Sequence, residues 1–273
     1  RLTNSIPATP NIPHQIIIVN NSPDDHTIQQ LQSPSVQILT AKTNLGFGQG
    51  CNLGLNWIYT QNPKAIVWII NPDTYLPKET LEKVPSFFAT HPELSLLGTY
   101  IYTPDGDIWF AGGQFIPKLG EIISSTSPPP PAETGYLTCD WVSGCSLLVN
   151  LDHFPTCPQF DPAYFLYYED FDFCRRYASL GHLIGITNQF AVIHQASAIT
   201  NRNPRKKFVH STYSYLLTLE RYTNQKVLLL RLTRVTIFAF LLLVIKPQTA
   251  LGKLMGVSNY LLRVLANCLT KFW

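Results

Sequence analysis

The sequence AIVWIINPDT, residues 65–74, gives the first indication of architecture, because a short apolar run leads directly into a polar turn. The β-branched and aromatic residues of Ala65–Ile70 are typical of a strand that is buried on both faces. Ligands of parallel α/β sheets bind at the carboxyl ends of the strands. The run therefore predicts a strand of an α/β sheet, with Asn71 and Asp73 at the ligand-binding edge.

Two further runs toward the N-terminus have the same pattern. His14–Asn20 (HQIIIVN) predicts a strand buried on both faces, and Val36–Thr40 predicts a second strand. A helix is expected directly after the first of these strands, with Ser22 as its N-cap, and another over Gly48–Thr60. Strands that alternate with helices imply βαβ units and a largely parallel central sheet flanked by helices.

The rest of the chain is less regular. Short strands and glycine turns are expected from Leu94 to Asn150, and the proline run Pro128–Pro131 predicts a surface loop. Glu169–Leu180 predicts a helix that ends at Gly181.

Composition excludes several classes of protein. The 273 residues are 45% hydrophobic and 12% aromatic, which is typical of a globular chain, and the net charge of +3 indicates no nucleic-acid partner. The six cysteines include no CxxC pair, so reduced thiols in a cytoplasmic protein are expected. No secretory signal is expected, since no basic segment precedes an apolar one at the beginning of the sequence.

Four groups of residues could carry chemistry, and each has a structural alternative. Asp73 could hold a divalent cation against a diphosphate, although Asn-Pro-Asp-Thr is also good turn chemistry. Glu169 and Asp170 could supply a general base, or could be a solvated helix start in which Asp172 pairs with Arg175 or Arg176.

His194 follows an apolar run and could be a metal ligand, although a lone histidine at a strand end is more often structural. Arg202–Lys207 could neutralise a diphosphate or an anionic membrane, or be an ordinary basic loop. Considered together, these groups supply a metal holder, a base and a second ligand for group transfer from a phosphorylated donor.

The ordered set of motifs resembles the family 2 glycosyltransferases, in particular their rhamnosyltransferase- and galactofuranosyltransferase-like branch. The resemblance runs from about Leu2 to Ser197, and its motifs in chain order are IIIVNNS (16–22), NLGFGQGCNLGL (44–55), NPDT (71–74), WVSGC (141–145), YYEDFDFCR (167–175) and His194. It implies a GT-A fold, a nucleotide-sugar donor, a glycan or lipid-linked acceptor with a reacting hydroxyl, and inversion at the anomeric carbon.

The resemblance also implies roles for individual residues. Asp73 and His194 would bind Mg²⁺ or Mn²⁺, and Asp170, with Glu169 beside it, would be the base. Donor contacts are implied for a set of polar and glycine residues, namely Asn20, Asn21, Ser22, Asn44, Gly46, Asn52 and Asn71.

The chain departs from the family pattern at its N-terminus. Residues 1–6 resemble the end of the helix that normally follows the first strand, so the sheet is expected to lack that strand. We expect a GT-A domain over residues 1–200 and a basic loop with apolar helices over residues 201–273.

The C-terminal segment suggests contact with a membrane surface. Arg231 and Arg234 interrupt the apolar run Val227–Ile245, which leaves it too short to span a bilayer. A helical stripe that includes Leu254, Val257 and Phe272 is suited to a membrane surface, a protein core or a partner subunit. Residues 227–273 therefore predict either peripheral contact, on the cytoplasmic face of the plasma membrane, or an oligomer.

Two other functions fit parts of the sequence. A nucleotidyltransferase would also hold a metal and a diphosphate, although no glycine-rich triphosphate loop is visible. A non-catalytic membrane-associated scaffold is compatible with the departure at the N-terminus and with the basic, apolar tail.

Overall fold

The computed structural model describes residues 2–6, 12–127, 134–195 and 203–269. These residues form two compact units. The first unit comprises the described parts of 1–114, 123–163 and 169–196, and the second comprises those of 115–122, 164–168 and 197–273. The sequence-based domains, 1–200 and 201–273, stay a prediction.

Eleven strands are present in the described residues: β1 (Ile16–Asn20), β2 (Val36–Thr40), β3 (Ile66–Ile70), β4 (Thr74–Tyr75), β5 (Leu94–Tyr102), β6 (Ile108–Phe110), β7 (Gly113–Ile116), β8 (Glu121–Ser124), β9 (Leu137–Thr138), β10 (Ser146–Asn150) and β11 (Leu183–His194). The helices are α1 (Leu2–Ser5), α2 (Phe47–Gln61), α3 (Thr80–Thr90), α4 (Glu169–Ser179), α5 (Pro204–Tyr222), α6 (Gln225–Leu242) and α7 (Pro247–Leu269), with 3-10 turns at Thr27–Leu31 and Leu151–His153.

The main sheet has the strand order β3-β10-β5-β11-β4, with β6 on β5 and β9 on β11. This arrangement confirms the α/β class, but the sheet is mixed rather than largely parallel. Among the described strands of the main sheet, only β5 and β11 pair in parallel, and β10 is antiparallel to both of its neighbours. The segment between β5 and β10 returns the chain to the edge of the sheet where β3 and β5 end. Because β10 starts at that edge, it runs antiparallel to both strands.

β1 and β2 form a separate parallel pair that packs on α2, as does β3. In the described residues, β1 and β3 share no ladder. The prediction that both strands are buried on both faces was wrong. Residues 16–19 are only half-buried, and β3 contains the exposed Ile66, because each strand has a partner on one edge only.

The connection after β1 also differs from the prediction. No α-helix follows Ser22, and the chain makes a turn and then the 3-10 segment Thr27–Leu31. The carboxylate of Asp25 accepts hydrogen bonds from the backbone N–H and the hydroxyl of Thr27, at 3.0 and 2.6 Å. Such local side-chain bonds offer the backbone an alternative to a helix.

The predicted acidic helix is confirmed as α4. Gly181 follows it with φ 92°, a left-handed conformation that favours glycine. The helix lies over a core whose fully buried members include Phe160, Phe173 and Leu147.

Helices α5, α6 and α7 form the main part of the second unit. Gly252 and Gly256 of α7 lie directly against the backbone of α5, and a Cβ at these positions would be 2.5 Å from the carbonyl of Arg205 and 2.7 Å from that of Val209. A small apolar cluster around Leu216, Val257 and Tyr260 holds the helices together; Val257 is therefore buried rather than on a surface stripe.

The basic segment before α5 is not a loop where the structure describes it. Pro204 to Lys207 form the first turn of α5, and the Asn203 side chain accepts the backbone N–H of Lys206 at 3.0 Å. Three predicted features, Arg202, Pro128–Pro131 and Phe272, lie outside the described residues. In the described part of the chain, no helix combines the length and the apolarity needed to cross a bilayer.

Candidate active site

Asp73 and His194 meet where β4 pairs with the end of β11. This antiparallel register places His194 opposite Thr74, and the backbone N–H of Gln195 donates to the carbonyl of Asp73 at 3.0 Å. The His194 Nε2 then lies 3.1 Å from the Asp73 Oδ1. The two residues predicted as metal ligands are therefore brought together.

The environment of this pair fits a ligand-binding edge. His194 is buried and Asp73 is half-buried, and the ring of Trp109 packs edge-on against His194 with centroids 4.8 Å apart. In the described part of the chain, the His194 Nδ1 has no hydrogen-bond partner. The backbone N–H and the hydroxyl of Thr74 both donate to the Asn71 carbonyl. Residues 71–74 therefore form the predicted turn, and this turn positions Asp73.

The acidic pair begins α4. Tyr167 and Tyr168, directly before it, both have left-handed backbones, with φ 71° and 66°. Two consecutive non-glycine residues in this region are strained, a feature that often marks functional sites. Asp172 pairs with Arg176 at 2.7 Å, which confirms one of the two predicted ion pairs, and Arg175 contacts Asp140 instead.

Asp170 is fixed by two backbone donors. Its Oδ2 accepts from the N–H of Gly144 at 2.9 Å, and its Oδ1 accepts from the N–H of Phe171 at 2.8 Å. Glu169 is 5% exposed, and within the described residues its Oε2 has no hydrogen-bond partner. One carboxylate is thus oriented, and its neighbour is buried with a free oxygen.

Burial raises the pKa of both carboxyl groups because it disfavours the charged form. The pKa of Glu169 rises to about 8, with the charge of Asp170 as the second cause. The pKa of Asp170 also rises through burial, against the opposing effect of its backbone donors. At neutral pH the pair therefore retains a proton on Glu169.

The tripeptide Ser143–Cys145 connects the two acidic groups. The Cys145 carbonyl accepts the backbone N–H of Asn71 at 3.1 Å, while Gly144 donates to Asp170. Asp73 and Asp170 both lie close enough to Cys145 to add to the burial that raises the pKa of its thiol. The Asp73–His194 pair and the Glu169–Asp170 pair therefore lie around one short segment.

The sequence did not reveal the role of Gly144. Its donor is a backbone N–H, which has no side-chain signature, although Gly144 stands inside a motif of the family resemblance. A Cβ at this position would lie 2.8 Å from the ring of Phe47 and 3.4 Å from the Asp170 Cβ. The glycine allows both close approaches.

The predicted donor-binding residues form a second group, at the end of β1. The Asn21 side chain donates to the Gly46 carbonyl at 2.8 Å and accepts the N–H of Leu45 at 2.8 Å, and Asn44 accepts the N–H of Gly46 at 3.0 Å. Gly46 has φ 79° and leads into α2. These bonds tie the end of β1 to the start of α2.

Two other predicted donor contacts have structural partners. The side chain of the buried Asn20 accepts a hydrogen bond from the Ser22 N–H at 3.0 Å and donates one to the Asp25 carbonyl at 2.8 Å. Asn52 bonds both backbone groups of Phe160, at 2.7 and 2.8 Å. Their direct contact with a donor stays a prediction, as does that of Asn71 at the end of β3.

The chemistry of the Asp73–His194 pair fits a divalent cation. Within the described residues no group of three or more His, Cys, Asp or Glu side chains is arranged to hold a metal ion, and Asp73 and His194 form a pair. Mg²⁺ and similar ions commonly bind through one or two carboxylates, with phosphate oxygens and water completing the shell. One carboxylate, from Asp73, and one imidazole nitrogen, the Nε2 of His194, are compatible with that pattern.

A mixed sheet covered by helices, with acidic residues at one edge, is the arrangement of the GT-A class of glycosyltransferases. The chain belongs to glycosyl transferase family 2, whose profile matches residues 1–143, just over half of its length. The family resemblance noted in the sequence is thereby confirmed. The matched region contains Asp73 and ends before Glu169, Asp170 and His194.

Two curated relatives are similar over part of the chain. The low-salt glycan biosynthesis hexosyltransferase Agl10 of Haloferax volcanii is 20% identical over 173 residues, which cover 59% of this chain and 52% of the relative. The rhamnosyltransferase WbbL of Escherichia coli is 31% identical over 115 residues, covering 41% and 44%. The chain thus spans about half the length of the curated relatives it matches.

The fold is also similar to a solved structure. The crystal structure of GalNAc-T7 with UDP, GalNAc and Mn²⁺ has a TM-score of 0.54 and 11% identity, and the match covers 76% of this chain and 41% of that one. At this identity the likeness concerns the fold alone. It confirms the expected GT-A architecture.

Proposed function

We propose that this chain transfers a sugar from a nucleoside diphosphate donor to a hydroxyl of a glycan or lipid-linked acceptor, with inversion at the anomeric carbon. The observation that carries the proposal is the convergence of Asp73, His194 and Asp170 around Ser143–Cys145. Family membership supports the class of reaction.

Asp170 is the proposed base. Its Oδ2 is oriented by Gly144 and its pKa is raised by burial, so it binds a proton more readily than an exposed carboxylate. It would remove the proton from the acceptor hydroxyl as that oxygen forms a bond to the anomeric carbon. The bond from the anomeric carbon to the diphosphate oxygen breaks, and the nucleoside diphosphate leaves with the bonding electrons.

Glu169 is proposed to assist Asp170 without itself taking the proton. With a pKa of about 8 it is mostly protonated at neutral pH, so only one negative charge is placed in the buried pair. A second charge beside Asp170 would raise the pKa of Asp170 further and leave less of it in the basic form.

Asp73 and His194 are proposed to hold a divalent cation. When bound, the ion would offset the negative charge that develops on the departing diphosphate. Asn21, Asn44 and Gly46 are proposed to line the site of the nucleoside, because their hydrogen bonds fix the β2–α2 loop against the end of β1. Asn20, Ser22, Asn52 and Asn71 are proposed as further donor contacts.

A donor screen with product analysis tests this proposal. The chain is incubated with Mn²⁺, a panel of nucleoside diphosphate sugars and hydroxyl acceptors, and the anomeric configuration of any product is determined by NMR. We expect transfer with inversion, and Asp170→Asn should lower kcat about 10²–10⁴-fold while donor binding persists. Asp105→Asn, at an exposed turn, is the matched control.

Four outcomes would contradict the proposal. Retention of configuration would exclude the single displacement, and near wild-type turnover of Asp170→Asn would exclude that base. Pyrophosphate release from nucleoside triphosphates would identify a nucleotidyltransferase instead. A chain that binds no nucleoside diphosphate with Mn²⁺ would be a scaffold.

A further inference from the structure

Helix α6 exposes a large apolar surface. Six of its side chains are more than half exposed, and two residues of the turn after it are more exposed still: Leu229, Leu230, Ile237, Phe238, Phe240 and Leu241, then Val244 and Ile245. Leu230, Ile237 and Leu241 recur at intervals of seven and four residues, which places them on one side of the helix. We call these eight residues the α6 stripe.

The α6 stripe is not part of the core of the second unit. The opposite side of α6 already packs, since Leu228, Leu232 and Val235 contact the cluster of Leu216, Val257 and Tyr260, and Ala239 is fully buried. Scattered apolar side chains on a surface are normal, whereas a contiguous group of this size indicates an interaction surface. The stripe is therefore available to a partner.

The charge around the stripe indicates what that partner is. Residues 203–269 contain ten Lys and Arg but a single acidic residue, Glu220, although the whole chain carries only +3. Lys226, Arg234 and Lys246 are exposed at the beginning, the middle and the end of the stripe. A helix with an apolar face and basic flanks is suited to the interface of an anionic bilayer.

A second copy of this chain would fit the stripe less well. Apposing two such helical units would bring two strongly positive surfaces together, at a cost in Coulomb energy. An anionic lipid surface complements the apolar and the basic parts at once. No helix in the described residues is suited to span a bilayer, so the fit is to its surface.

We propose that α6 and the turn after it bind the surface of an anionic lipid bilayer, with the α6 stripe in the boundary between headgroups and acyl chains. The sequence suggested a stripe on α7. Val257 of that stripe is buried in the cluster with Leu216, whereas Leu261, Leu265 and Leu269 of α7 are exposed, and α6 adds the larger exposed apolar surface. This surface is independent of the residues proposed for sugar transfer.

Vesicle flotation of the chain tests the proposal. We expect the protein to float with vesicles of phosphatidylcholine and phosphatidylglycerol at low salt, and much less with phosphatidylcholine alone. Ile237→Gln combined with Leu241→Gln should reduce binding at least about tenfold, since two exposed apolar side chains leave the acyl boundary. Lys226→Gln combined with Arg234→Gln should weaken binding about thirtyfold, equivalent to about 1 kcal/mol per basic residue.

Matched controls separate loss of binding from loss of fold. Leu180→Gln changes a side chain that is 72% exposed but lies in the first unit, and it should float like wild type. Thermal unfolding should be similar for all variants, because every substituted residue is exposed.

Two results would overturn the proposal. One is the failure of wild type to float with phosphatidylglycerol vesicles, or equal flotation of the Ile237→Gln, Leu241→Gln variant. The other is a dimer in light scattering that the same variant dissociates, without vesicle binding, which would assign the stripe to a protein interface. Sugar transfer in solution would be unaffected by either result, so failure here leaves the proposed function standing.

Discussion

The Nε2 of His194 lies 3.1 Å from the Oδ1 of Asp73, across 121 residues of sequence. The contact depends on two residue pairs of antiparallel ladder between β4 and β11, Ile193 with Tyr75 and His194 with Thr74. β4 has only two residues, so the turn Asn71–Thr74 holds the position of Asp73 as much as the ladder does.

Asp73→Asn and His194→Gln should each weaken Mn²⁺-dependent binding of a nucleoside diphosphate at least about tenfold, because each removes a proposed ligand of one ion. The double variant should bind the nucleoside diphosphate only slightly less tightly than the weaker-binding single variant, since the two residues share that ion. Calorimetric titration with and without Mn²⁺ measures both effects, with Asp105→Asn as control. Fully additive losses would mean that the residues act separately.

Glu169→Gln should leave the rising limb of the pH–rate profile at the same pH. Burial raises the pKa of Asp170, so the rate rises with pH as this base loses its proton. Glu169, with a pKa of about 8, is still protonated in the proposed mechanism when Asp170 ionises, and a neutral amide has the same charge as that protonated acid. The exposed Glu79→Gln is the control, and a limb displaced to lower pH would show that Glu169 is charged when Asp170 ionises.

The same substitution should change the pH dependence of stability. The pKa of Glu169 is raised from 4.5 to about 8 in the folded chain, so its contribution to the free energy of unfolding is complete below about pH 4.5. That contribution is lost as pH rises through about 8, on the order of 1.4 kcal/mol per unit of pKa shift. In urea unfolding between pH 5 and 9, the free energy of unfolding should therefore fall less for Glu169→Gln than for wild type. Parallel plots of this free energy against pH would contradict the raised pKa of Glu169.

Gly256→Ala should destabilise the chain, although Ala ordinarily favours a helix over Gly by up to about 1 kcal/mol. The new Cβ would lie 2.7 Å from the Val209 carbonyl and 2.8 Å from the Thr212 Cβ, so α5 and α7 must separate. We expect a net loss of about 1–3 kcal/mol in thermal unfolding. Ser258→Ala, exposed on the same helix, should be nearly neutral or stabilising.

Much of the fold could be predicted from local patterns. The apolar runs located β1, β2 and β3 to within two residues, and the acidic start and terminal glycine located α4. Strand direction was not predictable in this way, because the orientation of β10 depends on how the whole connection from β5 returns. The prediction of a helix after Ser22 was wrong, because the N–H and hydroxyl of Thr27 bond to the Asp25 carboxylate. The preference of Ser22 for an N-cap position does not show whether a helix or these local bonds will form.

The candidate site shows a similar limit. Asp73, Asp170 and His194 were named from motifs, since titratable side chains stand out in a sequence. The N–H of Gly144 and the Cys145 carbonyl are common to every peptide and could only be found from the structure. The spacing Gly252-x-x-x-Gly256 could have indicated a close helix contact, since small residues four apart lie on one side of a helix.

The attachment of both carboxylate groups to Ser143–Cys145 has a dynamic consequence. One hydrogen bond leads from Cys145 to the turn that carries Asp73, and the adjacent one leads from Gly144 to Asp170. We therefore expect a displacement of this tripeptide to carry both acidic groups in the same direction, because each is joined to it by a hydrogen bond. The spacing between the proposed base and the proposed cation site would then be kept while the edge of the sheet moves.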